Sequence, residues 1–469
     1  MNRDISYDAV MRRKADIVKA SAGIDFSGFE RGGAVFDYEA MMAGTGYTIE
    51  KIQEIQSRAS VGNTPVIELR NITALARLCA EPGKGAHIFI KDEAVNPSGS
   101  FKDRRAATAV YHAKRAGYKG VIAATSGNFG AAVASQAAAN GLKCIIVQEC
   151  YDSGKTGQPE IIEKARKCEA YGAEVIQCTV GPELFYLSLR LLEETGYFSA
   201  SLYSPFGVAG IETLGFELAR QIKSITGRFP DTVVCTNAGG GNVTGTARGL
   251  GKAGCVAEVI GASVNLKGLS MASDTDFNRK SFTTGHTGFG VPFASWPDRS
   301  DVPRSAARPL RYMDRYVTVG QGEVFYMTEL LANLEGLERG PAGNTSLAAA
   351  FSIAREKPRD HVIAVQETEY TGAGKHVQTQ LSFARRNGIE VKFGDTAEEI
   401  PGKSIILPES PAGIKAMDIE LDHIRESLIK HTRETAGEPL TKFDIAFLAE
   451  ETAADTAFVE RVLRLGAAI

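Results

Sequence analysis

The sequence predicts an α/β protein built from two three-layer αβα domains with mostly parallel sheets, plus helical extensions at both ends. Three observations carry this reading. From Gly62 onward, short apolar runs alternate with helical stretches, the rhythm of strand–helix–strand units with helices on both sheet faces. Small-residue loops follow several of these runs, as tight strand-to-helix turns require. The chain has 469 residues, long for one domain, and its 49 glycines suit many such turns.

Residues 1–60 are helical in pattern and charged, and Tyr47-Thr48-Ile49-Glu50 opens a helix that runs through Ile55. This lead has no chemical signature and reads as packing against the main body or a subunit partner. Predicted strands are 87–91, 120–124, 143–148, 174–178, 232–235, 258–262 and 361–366. Predicted helices include 101–115, 130–140, 158–171, 183–195, 210–226 and 323–333. Right-handed crossovers bring the loops after these strands to one carboxyl edge. Ser126, Gly240 and the 367–371 loop are therefore expected to share a crevice. Ser204-Pro205-Phe206-Gly207 reads as a hinge, and after Pro401 the pattern turns helical.

Composition narrows the function. With 43% hydrophobic and 23% charged residues the chain is ordinary for a soluble globular protein. A net charge of −3 without any basic block speaks against nucleic-acid or membrane-surface binding. The seven cysteines are odd in number and form no Cys-x-x-Cys pair, so they read as reduced and cytoplasmic. Cys144 and Cys235 lie in apolar runs and are expected in the core. The opening Met1-Asn2-Arg3-Asp4 leads into a charged helical pattern, so no secretion signal is expected, and no apolar run is long enough to span a bilayer. No cluster has metal-ligand spacing, and no metal is expected.

The chemistry concentrates in three segments. Lys102 sits in Asn96-Pro97-Ser98-Gly99-Ser100-Phe101-Lys102-Asp103-Arg104, behind a turn at the start of a predicted helix. An amine so placed can lose its proton and bond to an aldehyde; the plain alternative is a surface lysine on an amphipathic helix. Arg104 and Arg105 follow and raise the local potential, or form a solvated face. Gly239-Gly240-Gly241-Asn242-Val243-Thr244 follows a strand, where bare backbone N–H groups can cradle phosphate, with the Thr244 hydroxyl as a further donor. A dinucleotide site is the competing reading, but the third glycine of that motif is missing. Thr125-Ser126-Gly127-Asn128 precedes an alanine-rich helix; it is a helix cap, an anion loop, or both, since the physics is shared. A reactive lysine, a phosphate cradle and a second anion loop together suggest pyridoxal 5'-phosphate (PLP) and an amino-acid substrate. His286, among glycines and threonines, is an acid–base candidate or a structural turn residue. Lys267-Gly268 and Arg279-Lys280 flank it and are candidates to attract the phosphates of coenzyme A.

These motifs resemble the tryptophan synthase β-like family, the fold type II PLP enzymes. Gly62-Asn63-Thr64-Pro65 and Glu335-Gly336-Leu337…Pro341-Ala342-Gly343 are similar to two further family segments, in the family's order over roughly residues 61–375. The resemblance implies a Schiff-base role for Lys102 and a phosphate site at Gly239, Gly240, Gly241 and Asn242. It implies substrate carboxylate binding by Thr125, Ser126, Gly127 and Asn128, with Asn128 also on the PLP ring oxygen. It places a residue near the end of the 361–366 strand on the pyridine nitrogen, with Glu367 and Thr368 as the two candidates. It divides the body into a large domain (61–106 with 204–396) and a small one (107–203), between helical extensions at 1–60 and 397–469. The segments 148–152, 282–290 and 367–376 resemble more narrowly the β-subunit family of 2-amino-4-oxopentanoate thiolases. That likeness implies thiolytic cleavage of the amino-oxo acid with coenzyme A, giving alanine and acetyl-CoA. It also implies a small α subunit as partner, and a homodimer of β chains within the hetero-oligomer. A PLP-dependent lyase or β-replacement enzyme (ammonia-lyase or threonine synthase-like) would share every cofactor residue. A non-catalytic PLP-binding subunit is the third alternative, against which the intact Lys102 argues.

Overall fold

The computed structural model describes residues 3–125, 127–181, 183–267, 273–287, 301–370, 376–436 and 439–465. Along the chain, β1 (Val66–Glu68) and β2 (His87–Asp92) open the body. Next come β3 (Gly120–Thr125), β4 (Lys143–Tyr151), β5 (Glu174–Thr179) and β6 (Phe198–Ser199). They are followed by β7 (Thr232–Thr236), β8 (Glu258–Val264), β9 (Arg315–Val319) and β10 (Val362–Glu367). The last three are β11 (Glu390–Gly394), β12 (Ser404–Pro408) and β13 (Met417–Asp418). Two main sheets result. A four-stranded sheet has the order β5-β4-β3-β6, and a seven-stranded sheet has the order β1-β2-β10-β7-β8-β9-β13. The small sheet is parallel throughout. The large one is parallel except at its edge strands β1 and β13. Strands buried on both faces read as continuous apolar runs, which is why Val-Val-Cys in β7 and Ile-Ala-Val in β10 are fully enclosed.

Two expectations shift. The helix expected from residue 210 begins at Pro205 and runs to Thr226. Ser204 caps it by accepting the Gly207 N–H at 3.1 Å, and Pro205 takes the first-turn position that lacks a helical donor requirement. The segment expected to be a hinge is thus a helix start. The stretch beyond 396, expected to be helical throughout, first supplies β12, paired in parallel with β11, and the antiparallel edge strand β13. Ser-Ile-Ile-Leu-Pro is an apolar run too short for its period to separate strand from helix.

The N-terminal lead packs on the body. Val10, Ile17 and Val18 share a core with Ile122, Ile146 and Phe129 of the small-sheet region, and Arg13 pairs with Glu193 at 2.7 Å. The last three helices, Leu421–Thr435, Lys442–Glu451 and Thr456–Leu465, close on a separate cluster of Ile429, Leu448, Val459 and Val462.

A buried ion network ties the helix Lys102–Arg115 to the large sheet. Arg104 is fully enclosed; its Nε meets Glu93 Oε2 at 2.7 Å and its Nη2 meets Glu217 Oε2 at 2.7 Å. Lys91, also enclosed, reaches Glu217 at 3.1 Å. Removing one member leaves the others charged and unpaired in low dielectric, which costs about 3–5 kcal/mol. Arg104→Met is therefore expected to lower the unfolding midpoint by several degrees in calorimetry; an unchanged midpoint would contradict this role. The Glu217 carboxyl is held down to about 2, against desolvation, chiefly by Arg104 and then Lys91. Its folded value lies below its unfolded one, so its stabilisation is present above about pH 4.5 and lost as the pH falls toward 2. Glu217→Gln should flatten the acid limb of a stability–pH curve.

Candidate active site

The site forms where the carboxyl ends of both sheets face each other, the place where open α/β sheets bind ligands. A cleft of about 1230 Å³, part of it open solvent, is lined from the small sheet by Thr125 and Glu149. The large sheet contributes the loop from Thr236 to Asn242 and Thr368. Lys102 and Arg105 enter from the helix between them.

Lys102 is the first residue of its helix, and its position is set by a laced turn. Ser98 N–H donates to the Asp103 carboxylate at 2.7 Å, and Lys167 Nζ donates to Ser98 O at 2.6 Å. Phe101 N–H donates to Thr368 O at 3.0 Å, and Tyr370 N–H donates to Gly99 O at 2.8 Å. Gly99 adopts φ +81°, and a side chain there would strike the Tyr370 carbonyl, so only glycine serves. The lysine turn and the end of β10 are therefore one unit. Burial pushes the Asp103 carboxyl up to about 7.

Gly239, Gly240, Gly241 and Asn242 all line the cleft, at the N-terminus of the helix Gly241–Lys252. A Cβ on Gly239 would meet Tyr203 at 2.6 Å, one on Gly240 would meet Pro309 at 2.5 Å, and one on Gly241 would meet Arg105 at 2.6 Å. The loop is bare because nothing larger fits, and its amides and helix dipole suit a phosphate. Pro309 is held in turn by Arg308, whose backbone N–H donates to Thr244 Oγ1 at 2.7 Å. The Arg308 guanidinium lies 3.8 Å from the Tyr38 ring and pairs with Glu451. Thr244, expected to be a phosphate donor, does not line the cleft. Its hydroxyl donates to Gly240 O at 2.9 Å within its own helix.

Thr125 and Asn128 line the cleft, while Gly127 backs onto Lys164; Ser126 lies outside the described residues. Thr125 Oγ1 accepts the Gly127 and Gly130 N–H groups at 2.9 and 3.1 Å, so it shapes the loop. Asn128 Nδ2 donates to Glu369 Oε2 at 2.7 Å, and its Oδ1 is buried without a partner. Of the two candidates at the end of β10, Thr368 reaches the cleft and Glu367, the last residue of the strand, does not. Successive residues of an extended segment point to opposite sides, and Glu367 turns back against Gly343. Desolvation, reinforced by Glu369 and Asp92, raises its pKa well above the usual carboxylate range.

His286 lines the cleft from the other side, on a loop that Gln158 Nε2 holds by donating to Gly285 O at 2.9 Å. Of the cations expected to flank it for coenzyme A, Lys267 is exposed while Arg279 and Lys280 are engaged with acids. Arg279 pairs with Asp274 and Asp276, and Lys280 pairs with Asp152; Gly268 lies outside the described residues, as do Gly288, Phe289 and Gly290 and the stretch 371–375. Sequence reasoning passed over two acids. Glu369, just after β10, and Glu149, near the end of β4, both line the cleft. Glu149 Oε1 accepts the Gly181 N–H at 3.3 Å, its Oε2 has no hydrogen-bond partner, and burial pushes its carboxyl up to about 8. Its signal was its place just after the predicted strand 143–148. Among the described residues no group of acids, histidines and cysteines is arranged to hold a metal.

Comparison with known proteins agrees with this geometry. The model of the pyridoxal-phosphate dependent enzyme family matches residues 58–367. A 2-amino-4-ketopentanoate thiolase beta subunit of Acetoanaerobium sticklandii is 69% identical over 467 residues, covering 99% of each chain. A second protein of that name, from an unknown prokaryotic organism, is 62% identical over 466 residues, again 99% of each chain. A Bacillus threonine synthase is 29% identical over 65% of this chain and 81% of its own. Among solved structures, O-ureido-L-serine synthase has a TM-score of 0.54 at 22% identity, over 68% of this chain and 91% of its own. A T.th. threonine deaminase has a TM-score of 0.53 at 24% identity, over 70% of this chain and 99% of its own. These two likenesses carry the fold alone. The bare glycine loop, the lysine turn and the whole-length identities converge: the chain belongs to the pyridoxal-phosphate dependent enzyme family, in its fold type II group, alongside the β subunits of 2-amino-4-ketopentanoate thiolase.

Proposed function

We propose that the chain is the PLP-bearing β subunit of a thiolase that cleaves 2-amino-4-oxopentanoate with coenzyme A to alanine and acetyl-CoA. The observation that carries this reading is 69% identity, over 99% of both chains, to a protein of that name. The cleft supports it by joining a lysine, a phosphate cradle and an acid from the small sheet. A small α subunit completes the enzyme, as the relatives' designation as beta subunits suggests, with β chains paired within the hetero-oligomer in the cytoplasm. No described helix is long and apolar enough to cross a membrane.

The bound cofactor supplies an electron sink for carbanion chemistry; placement and proton traffic fall to the protein. In this reading Lys102 bonds the cofactor aldehyde and, once released, takes the Cα proton. Gly239, Gly240, Gly241 and Asn242 hold the phosphate, while Thr125, Ser126, Gly127 and Asn128 hold the substrate carboxylate. Thr368, which lines the cleft, would offer its hydroxyl to the pyridine nitrogen. His286 takes the proton of the coenzyme A thiol as sulfur bonds to the ketone carbon. Cleavage leaves an electron pair on the methylene carbon, and Glu149, neutral at pH 7, gives that carbon a proton.

Three outcomes are expected. The purified chain with an α subunit should convert 2-amino-4-oxopentanoate and coenzyme A to alanine and acetyl-CoA, and absence of both products would refute the assignment. Borohydride reduction followed by peptide mapping should label Lys102, and Lys102→Ala should lose turnover by orders of magnitude. Glu149 donates only while protonated, so kcat should fall as the pH rises through about 8. Glu149→Gln should lower kcat about 10²–10⁴-fold and abolish that limb; a variant that keeps both rate and profile would exclude Glu149 from proton transfer.

A further inference from the structure

Arg105 is a cation without an acid. It is 4% exposed, and no carboxylate lies within ion-pair distance of it among the described residues, although its neighbour Arg104 has two. Its Nη1 donates to Leu202 O at 2.6 Å, and its Nε is buried with no partner. The guanidinium lies 5.7 Å from the Phe101 ring, the same ring that Lys102 Nζ approaches at 5.7 Å. Burial depresses its pKa to about 10, with only Tyr203 opposing. Desolvating a charge is costly unless something pairs it.

Its surroundings identify the missing partner's charge and place. Residues 102 and 105 are three apart on one helix and share a face, and both line the cleft. The two terminal nitrogens of Arg105 lie where a Gly241 side chain would be, at 2.6 and 2.9 Å. The guanidinium therefore abuts the glycine loop at the N-terminus of Gly241–Lys252. Backbone amides, a helix dipole and a guanidinium with no acid partner converge on one corner of the cleft. A planar guanidinium matches a phosphate with two parallel hydrogen bonds.

We propose that Arg105 is a direct ligand of the cofactor's phosphate, closing the glycine cradle with a cation that pairs the dianion. The inference rests on the PLP reading. It also accounts for Gly241, since any side chain there would occupy the ground between the loop and the guanidinium.

The test compares two ligands that differ only in the phosphate. The full-length apoprotein is titrated with PLP and with pyridoxal, following the visible absorbance band. Wild type should bind PLP far more tightly than pyridoxal. Arg105→Gln should weaken PLP about 10–100-fold, the range of a charge-assisted pair, and leave pyridoxal unchanged. Arg105→Lys should fall between, because it restores charge without the fork. Inorganic phosphate should compete with PLP on wild type and much less on Arg105→Gln. Far-UV circular dichroism of both variants checks that they fold, and the lysine variant keeps the test open if the glutamine variant does not. Equal weakening of PLP and pyridoxal would overturn the assignment. So would unchanged PLP binding with a raised KM for coenzyme A, which would move the guanidinium to the other phosphate source. A wild-type protein that binds neither PLP nor pyridoxal would instead refute the cofactor reading itself.

Discussion

The site depends on how the first turn of one helix is fixed. Arg104 is two residues beyond Lys102, about 200° around the helix, so locking one turns the other toward the opposite side. Glu93 follows β2 and Glu217 lies on the long helix Pro205–Thr226. Both hold the same guanidinium, and Lys91 balances the charge. Thr213 Oγ1 accepts from Arg104 Nη1 at 2.9 Å, and Gln56 Nε2 donates to the Arg104 carbonyl at 3.1 Å. An interior quartet of this kind is a weak source of net stability, but it permits only one orientation of the helix that carries it.

From that orientation the chemistry of the cleft divides into two ends. Arg105 and the glycine loop make one corner cationic and rich in N–H donors. Glu149 gives the small-sheet side a neutral acid, because burial and the lack of a cation keep its proton on. Glu367 and Glu369 add further acid near the β10 end, and Asn128, which also lines the cleft, donates to Glu369. A ligand with a phosphate at one end and a reacting carbon chain at the other would meet complementary surroundings along its length.

Much of this was legible in the sequence, for physical reasons. Strands β2, β3, β4, β7, β8 and β10 were readable because their middles are buried on both faces and therefore apolar, whereas the edge strand β5 is only partly buried. The glycine loop and the lysine turn were readable because backbone close to a ligand or to other backbone excludes side chains. Edge elements were not. Val66–Glu68 and Phe198–Ser199 are too short to show a period, and Met417–Asp418 is exposed and shorter still than a period needs. Glu149 escaped, and Arg105 was left between a cation raising the local potential and a solvated face, because their character comes from what they lack, a counter-ion, and absence of a distant partner leaves no local pattern. Thr244 was misplaced for the opposite reason: its hydroxyl had a nearer acceptor in its own helix.

Arg308 links the two end regions of the chain beside the glycine loop, stacked on Tyr38 and paired with Glu451 while its neighbour Pro309 abuts Gly240. One brace of the glycine loop thus couples a residue near the start of the chain to one near its end.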